Sequence, residues 1–348
     1  MTGNLVVPIA WLIGAAGVFA ASIVAARRAA VAFDVVARPN PIVRSHRAPV
    51  PYLGGTGLIA AYLALLAGSW ALGGSLPAPD VLARSVGALA FVVLGTWDDA
   101  RPLGAWFKLV AQTVLCAAYL FVAGTSPGPG FMLKLLVLVT LVNAYNIVDV
   151  MDGLLCVLAG LAILGLLVLG SPATVPLSPE LLLMLVGLGV LFLFNRPPAR
   201  IYAGDAGSLA LGFLVGAWGL AAAGDAITVG SLSVVGVWGV PLLELALVIP
   251  ARLAQGRSPL RGSPDHFALR LQDSLGWNKW RVLDAASIVG AGLAAGPWVM
   301  SRLEAPASAL YVLVCALAVV MAWRALWRIP PCARERGIEV RGAATVMR

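Results

Sequence analysis

Residues 131–155 read FMLKLLVLVTLVNAYNIVDVMDGLL, an apolar run that ends in a cluster of amides and carboxylates. Directly after it, residues 156–170 read CVLAGLAILGLLVLG and are apolar again. A membrane-spanning helix needs about 20 mostly apolar residues, and both runs approach that length. The polar cluster therefore lies between two predicted transmembrane helices, where ionisable side chains are expensive and mark functional sites.

The rest of the chain has the same apolar character. Its 348 residues are 60% hydrophobic and 11% charged, with a mean hydropathy of +0.93, whereas a soluble domain is about half apolar and a quarter charged. The composition excludes a soluble globular protein and predicts an all-α, polytopic integral membrane protein. We expect about eleven transmembrane helices, or ten if the short run 180–195 does not cross. The predicted spans are 5–26, 53–72, 81–97, 106–123, 131–148, 153–170, 180–195, 207–223, 226–249, 283–303 and 308–327.

Basic residues predict the orientation of these spans, because cytoplasmic loops carry an excess of Lys and Arg. With the N-terminus outside, all of the 24 Lys and Arg residues except Arg84, Lys134 and Arg302 fall on the cytoplasmic side. The C-terminus is then cytoplasmic, and residues 1–327 form one transmembrane domain followed by a basic tail, 328–348. This topology and anionic membrane lipid explain the net charge of +8, so no nucleic-acid partner is predicted.

Carboxylates gather at the same predicted membrane face. Those next to predicted span ends are Asp98, Asp99, Asp149, Asp152 and Asp205. An adjacent carboxylate pair is costly to ionise unless a cation shares the site. Oxygen ligands from several helices suit Mg²⁺ that is bound together with phosphates and water. With two histidines and no cysteine nearby, a zinc site is not predicted. A further acid, Glu244, is predicted to pair with Arg252 at the membrane boundary.

A regular spacing links the amides to the carboxylates. Asn143, Asn146, Asp149 and Asp152 are three residues apart, so neighbours in this series are expected to touch on one helix. The pattern predicts a helical face that lines a cleft. Together with the basic side chains of the same loops, it predicts a Mg²⁺ site that binds a phosphorylated substrate at the cytoplasmic face.

Five stretches of the chain resemble motifs of one enzyme family, in that family's order. They are VRSHRAPVPYLGG (43–55), DDARPLGAWFKLVAQ (98–112), NAYNIVDVMDGLL (143–155), FNRPPARIYAGDAGSLALG (194–212) and RSPLRGSPDHFALRL (257–271). With these motifs the chain resembles the polyprenyl-phosphate N-acetylhexosamine-1-phosphate transferases, also called glycosyltransferase family 4. The resemblance covers most of the predicted membrane core.

The resemblance implies an enzyme activity. Family members move a phospho-N-acetylhexosamine, most often GlcNAc-1-phosphate, from a UDP-sugar to undecaprenyl or another polyprenyl phosphate, and UMP is released. The implied cofactor is Mg²⁺, with Mn²⁺ as a substitute, and the product starts the synthesis of a cell-envelope or cell-wall polysaccharide. The resemblance also implies a plasma-membrane location, an active site on the cytoplasmic face, contact with membrane lipid, and a family in which homodimers occur.

The resemblance assigns roles to individual residues through their motif positions. The implied metal ligands are Asp205 and Asn146. The D-D pair of the family binds or deprotonates the lipid phosphate, so Asp98 and Asp99 take that role. The implied catalytic residues are Asp98, Asp99, Lys108 and Asp149. The implied substrate-binding residues are Arg44, His46, Asn143, Asn146, Asp152, Asn195 and His266.

Three alternatives remain open. Phospho-MurNAc-pentapeptide transferases carry a His triplet where this chain has one His in PDHFALRL (264–271), which favours another branch of the family. A secondary transporter would hold its ionisable groups near the bilayer midplane between repeated halves, whereas here the acids lie at predicted helix ends. A non-catalytic scaffold would be expected to have lost some of five residues, and all five are present: Asp98, Asp99, Asn146, Asp149 and Asp205.

Overall fold

The computed structural model of the protein describes residues 6–38, 49–73, 77–169, 179–224, 234–260, 262–300 and 302–330. Most of these residues are helical. The helices, in chain order, are α1 (Val6–Ala32), α2 (Gly54–Gly73), α3 (Pro79–Ala100), α4 (Ala105–Val122), α5 (Pro129–Val148), α6 (Leu154–Leu169), α7 (Pro179–Asn195), α8 (Gly204–Ala223), α9 (Gly239–Ala254), α10 (Phe267–Leu275), α11 (Lys279–Ala294), α12 (Gly296–Met300) and α13 (Ala305–Arg328). Two short strands, β1 (Val36–Ala37) and β2 (Val50–Pro51), pair antiparallel between α1 and α2.

Eight helical segments in the described ranges are long and apolar enough to cross a membrane. They belong to α1, α2, α3, α4, α5, α8, the consecutive pair α11 and α12, and α13. The apolar helices α6 and α7 are shorter, and α9 has 16 residues. The prediction of an all-α polytopic architecture is confirmed, and each predicted span overlaps a helix. The orientation and the boundary of the tail stay predictions, and residues 331–348 lie outside the described ranges.

Helix boundaries differ from the predicted ones where the acids lie. Helix α3 continues to Ala100, so Asp98 and Asp99 belong to its last turn rather than to the loop after it. The helix ends where Pro102 restricts the preceding residue to an extended conformation. Helix α8 begins at Gly204, which places Asp205 in its first turn. Asp98, Asp99 and Asp205 therefore belong to helix ends.

The predicted helical series of amides and carboxylates was wrong beyond Asn146. Helix α5 ends at Val148, and Asp149 occupies its C-terminal cap. Asp152 lies in the turn before α6, where Gly153 adopts a φ of +79° that a side chain would disfavour. Asn143 and Asn146 lie on one helix, whereas the positions of Asp149 and Asp152 are set by the turn between α5 and α6.

Helix α8 is the centre of the bundle. Every residue from Ala206 to Gly219 is buried. Small residues let the neighbouring backbones approach it closely, since a Cβ on Gly55 of α2 would collide with the backbone of Gly207, and a Cβ on Gly95 of α3 would collide with Ala206. The first turn of α8 is thereby held between α2 and α3, and this contact positions Asp205.

Candidate active site

Asp205 joins side chains from three other helices. Its Oδ2 accepts a hydrogen bond from Nζ of Lys108 in α4 at 2.6 Å, and its Oδ1 accepts one from Nδ2 of Asn146 in α5 at 2.8 Å. The same Nζ donates to Oδ2 of Asp98 in α3 at 2.7 Å. Asn146 also donates to the hydroxyl of Ser208, one turn further along α8, at 2.9 Å. Helices α3, α4, α5 and α8 thus bring their polar residues to one place at the end of the bundle.

Two carboxylates hold the N-terminal N–H groups of α8. Asp99 accepts from the backbone N–H groups of Asp205 at 2.9 Å and Ala206 at 3.2 Å, while the N–H of Gly204 donates to Asp149. These N–H groups have no partner within the helix, and the helix dipole favours negative charge beside them. Gly204 is needed here, because its φ is +70° and a Cβ would collide with the Asp99 carboxylate. The twin carboxylates of α3, Asp98 and Asp99, therefore have different surroundings, because Asp98 pairs with Lys108 and Asp99 binds the start of α8.

The cluster is strongly acidic. The carboxylates of Asp98 and Asp205 pair with the ammonium of Lys108, and those of Asp99 and Asp149 lie near Asp205. In the turn after α5, burial and the charges of Asp205 and Asp99 raise the pKa of Asp149 to about 8. The ionised form is therefore disfavoured in these surroundings. A bound cation would supply the positive charge that the cluster lacks.

A cavity of about 510 Å³ opens beside the cluster, between α4, α5 and α9. Its polar lining residues include Lys108, Gln112, Asn143, Asn146, Asp149, Arg252 and His266. Its apolar lining residues include Leu109, Val139, Ile147, Leu245 and Ile249. A cavity with both kinds of lining can hold a ligand with a charged head and an apolar body, since a few polar groups fix the orientation and apolar contacts add affinity.

The donor set fits Mg²⁺. The carboxylates offer hard oxygen ligands, and Asn146 offers an amide oxygen once its side chain rotates from the orientation seen here. Among the described residues no three His, Cys, Asp or Glu side chains are arranged to hold an ion by themselves. Mg²⁺ normally takes one or two carboxylates and completes its shell with phosphate and water. The ammonium of Lys108, held between two carboxylates, shows that this position attracts a cation.

Asn143 lies beside the cluster rather than in it. Its Nδ2 donates to Oε1 of Gln112 in α4 at 2.8 Å and to the carbonyl of Val139 at 2.8 Å. Both amide side chains line the cavity. Gln112 stands one helical turn after Lys108, so the pair Lys108 and Gln112 presents one polar stripe of α4 to the cavity.

Asp152 and Asn195 connect the loops around the cluster. Asp152 is buried, and its Oδ2 accepts from Nζ of Lys279 at 2.8 Å and from the backbone N–H of Ala199 at 3.1 Å. Asn195 is also buried, and its amide accepts from the N–H of Gly153 and donates to the carbonyl of Ile201. Because these groups are already paired, the geometry favours bracing of the loops over direct contact with a substrate.

The other predicted binding residues divide into two groups. His266 directly precedes α10 and lines the cavity, with its Nδ1 at 2.8 Å from Oε1 of Glu244 in α9. Arg44 and His46 lie outside the described residues. The predicted pairing of Glu244 with Arg252 is wrong, because Arg252 donates to the Ser263 hydroxyl and the Pro259 carbonyl instead.

Sequence reasoning missed several members of the site. They are Tyr52, Gln112, Ser208 and Lys279, and Glu244 was named but with Arg252 as its expected partner. Tyr52 lies close enough to three of the acids that burial and the charges of Asp99, Asp149 and Asp205 raise its pKa to about 12. Gln112 and Ser208 could have been found as polar residues one turn from Lys108 and Asp205. Lys279 and Glu244 gave no such signal, since their partners are distant in the chain.

A match to a known protein family covers the region that contains the acidic cluster. The family model described as glycosyl transferase family 4 matches residues 81–223. A protein of Synechococcus sp. (strain JA-3-3Ab) named phospho-N-acetylmuramoyl-pentapeptide-transferase is 31% identical over 311 residues, which are 76% of this chain and 84% of the relative. The chain belongs to glycosyl transferase family 4.

Other relatives of this family 4 protein have different names. A Bacillus subtilis (strain 168) protein named "Probable undecaprenyl-phosphate N-acetylglucosaminyl 1-phosphate transferase" is 27% identical over 268 residues, with 70% of this chain and 72% of the relative covered. A phospho-N-acetylmuramoyl-pentapeptide-transferase of Gloeothece citriformis (strain PCC 7424) is 29% identical over 294 residues, with 74% and 77% covered. The family 4 protein is thus a multi-pass membrane protein whose matched region, α3 to α8, contains the acidic cluster.

Proposed function

We propose that the protein transfers a phospho-N-acetylhexosamine, GlcNAc-1-phosphate in the first instance, from a UDP-sugar to polyprenyl phosphate and releases UMP. One observation carries the proposal: Asp98, Lys108, Asn146 and Asp205 come from four helices and meet beside a cavity with polar and apolar walls. Family membership supports a phosphotransferase, since relatives are named for such reactions.

The reaction places few chemical demands on the protein. A phosphate oxygen of the polyprenyl phosphate attacks the β-phosphorus of the UDP-sugar in line, and the bond from this phosphorus to the bridging oxygen breaks as UMP leaves. A phosphate monoester loses its second proton near pH 6, so the attacking oxygen is already a nucleophile at neutral pH. We therefore favour direct transfer over an aspartyl-phosphate intermediate, with the protein acting through position and charge.

The residues of the cluster divide this work. Asp205 and Asn146 would hold Mg²⁺, which when bound offsets charge on the diphosphate and on departing UMP. Lys108, between Asp98 and Asp205, can turn one N–H to a phosphate oxygen without leaving its partners. The predicted shared role of the twin carboxylates is refined: Asp98 stands beside Lys108, whereas Asp99 holds the first turn of α8.

The expected location supports the same activity. Both substrates carry phosphates, and the polar lining of the cavity adjoins apolar residues that suit a polyprenyl chain. The excess of Lys and Arg on one predicted face supports a cytoplasmic position for the cluster in the plasma membrane. The homodimer stays a prediction.

The peptidoglycan precursor UDP-MurNAc-pentapeptide is the second candidate donor. Relatives named phospho-N-acetylmuramoyl-pentapeptide-transferase favour it. Against it, the segment around His266 carries one histidine where that branch carries three. Comparing UDP-GlcNAc, UDP-GalNAc and UDP-MurNAc-pentapeptide as donors distinguishes the two candidates.

A panel of donors tests the proposal. Purified full-length protein in detergent is given undecaprenyl phosphate and, separately, UDP-GlcNAc, UDP-GalNAc or UDP-MurNAc-pentapeptide, and UMP release is measured with and without Mg²⁺. We expect release that needs the acceptor, Mg²⁺ and a UDP-N-acetylhexosamine, and that falls about a hundredfold to a thousandfold in Asp205→Asn. The exposed Glu304→Gln is the control.

Each other outcome has a distinct meaning. Release with the pentapeptide donor alone selects the second candidate. UMP release that does not need undecaprenyl phosphate indicates hydrolysis rather than transfer and contradicts the proposal. Absence of UMP release with every donor also contradicts the proposal, provided that a cooperative thermal unfolding transition shows that the protein is folded.

A further inference from the structure

A buried acid and a histidine form a pair beyond the region that matches the family model. Glu244 of α9 is 1% exposed, and its two oxygens have separate partners. Oε1 lies 2.8 Å from Nδ1 of His266, and Oε2 accepts the backbone N–H of Phe267 at 3.1 Å. The carboxylate therefore contacts both the ring of His266 and the backbone N–H of the next residue.

The chemistry of the pair decides which nitrogen carries the proton. When the carboxylate of Glu244 is the acceptor in this contact, Nδ1 of His266 is the donor. Within the described residues Nε2 of His266 has no hydrogen-bond partner, and the residue lines the 510 Å³ cavity. With Nδ1 engaged by the carboxylate, Nε2 is the nitrogen left for a ligand.

We propose that Glu244 is a positioning residue that keeps the proton on Nδ1 of His266 and directs Nε2 into the cavity. The inference rests on the proposed function, because the cavity is where the UDP-sugar diphosphate would bind. A carboxylate that orients a histidine in this way fixes the tautomer and the direction of the ring. Glu244 itself does not line the cavity, so it would act on a ligand there through His266 rather than by direct contact.

Other contacts hold the segment that carries His266. On one side Arg252 donates to the Ser263 hydroxyl at 2.9 Å and to the Pro259 carbonyl at 2.6 Å. On the other side Arg270 donates to the Asp265 carbonyl at 2.9 Å. We therefore expect the segment to keep its place when the buried carboxylate is changed to an amide of the same shape. A Glu244→Gln variant is expected to fold, which makes the proposal testable.

Nitrogen NMR of histidine tests the tautomer without any substrate. The chain has two histidines, so the full-length protein labelled with ¹⁵N-histidine gives two ring systems, and the one lost in His266→Ala is assigned to His266. We expect Nδ1 to carry the proton in the wild-type protein. In Glu244→Gln this preference should weaken, because an amide can donate as well as accept. A wild-type His266 protonated on Nε2 alone would overturn the proposal.

A double-mutant cycle tests the route of the effect. In the wild-type background Glu244→Gln should lower kcat/KM at least about tenfold. In the His266→Ala background it should change kcat/KM by no more than about twofold, because the residue through which it acts is absent. Glu304→Gln, the same change at an exposed position, is the matched control for both backgrounds.

The outcomes separate this inference from the proposed function. Equal losses in both backgrounds would mean that Glu244 has a structural role, and the inference would fail. If no donor gives UMP release, the proposed function fails, while the NMR result still decides whether the carboxylate fixes the tautomer. If His266→Ala has no measurable activity, the NMR comparison of wild type and Glu244→Gln decides alone.

Discussion

Two ion-pair clusters lie at opposite ends of α3 and α8, and they differ in how far their charged side chains are exposed. Near the start of α3, Arg84 donates to Glu180 of α7 through Nη2 at 3.0 Å and Nε at 3.2 Å, and Trp218 near the end of α8 donates to the same carboxylate. Both charged side chains are 7% exposed. At the other end, Lys108 is 21% exposed and Asp205 is 26% exposed, beside a cavity.

Burial on one side and access to a cavity on the other distinguish a structural ion pair from a functional cluster. Arg84 has Glu180 and, at 2.8 Å, Asp80 as partners, and the side chains of both Arg84 and Glu180 are buried. A buried pair of this kind stabilises only while both members are present. The acidic cluster holds more carboxylates than its lysine can neutralise, and it stays open to the cavity. The closed pair should therefore control stability, and the open cluster should control activity.

The largest expected effect is the loss of the closed pair. Arg84→Met leaves the Glu180 carboxylate buried without its cation, and we expect a destabilisation of about 3–5 kcal/mol. Arg84→Met combined with Glu180→Met should recover part of it, because no unpaired buried charge remains, while the Trp218 indole N–H loses its acceptor. Unfolding in detergent measures both. Normal stability of the single variant would contradict the structural role, and lost activity of the folded double variant would show that the two ends are coupled.

A smaller effect on stability and a large one on activity are expected at Lys108. Lys108→Met removes the ammonium between Asp98 and Asp205, so kcat/KM for UMP release should fall about a hundredfold to a thousandfold. Its unfolding temperature should change less than that of Arg84→Met, because water reaches the open cluster and the pair there is partly screened. An equal loss of stability in the two variants would remove the distinction between open and closed clusters.

The smallest expected effect separates the twin carboxylates. Asp99→Asn removes the charge and one of two acceptors at the N-terminus of α8, which should cost about 0.5–2 kcal/mol of stability. Asp98→Asn keeps an acceptor for the Leu103 N–H and should leave the unfolding temperature near the wild-type value while activity falls. Unfolding and UMP release are measured side by side. The reverse order of stabilities would mean that the first turn of α8 is held by other contacts.

Much of the architecture could be predicted from local patterns. Apolar runs gave the helices, and motif positions pointed to Asp98, Lys108, Asn146 and Asp205, which the structure brings together. The end of α5 at Val148 agrees with the predicted span 131–148, but the three-residue spacing continues past it and wrongly placed Asp149 and Asp152 on the same helix. The predicted partner of Glu244 was also wrong. Arg252 is oppositely charged and near in the chain, whereas the fold brings His266 to the Glu244 carboxylate.

The sequence alone determined that this is a helical membrane protein and which polar residues stand at helix ends, because hydrophobicity is a local property that adds up along each segment. The tertiary structure alone decided what those polar residues do. Whether a carboxylate caps a helix, pairs with lysine or orients a histidine depends on which donor from a distant helix lies within about 3 Å of it. Asp98 and Asp99 are neighbours in the chain, yet one pairs with Lys108 and the other holds α8.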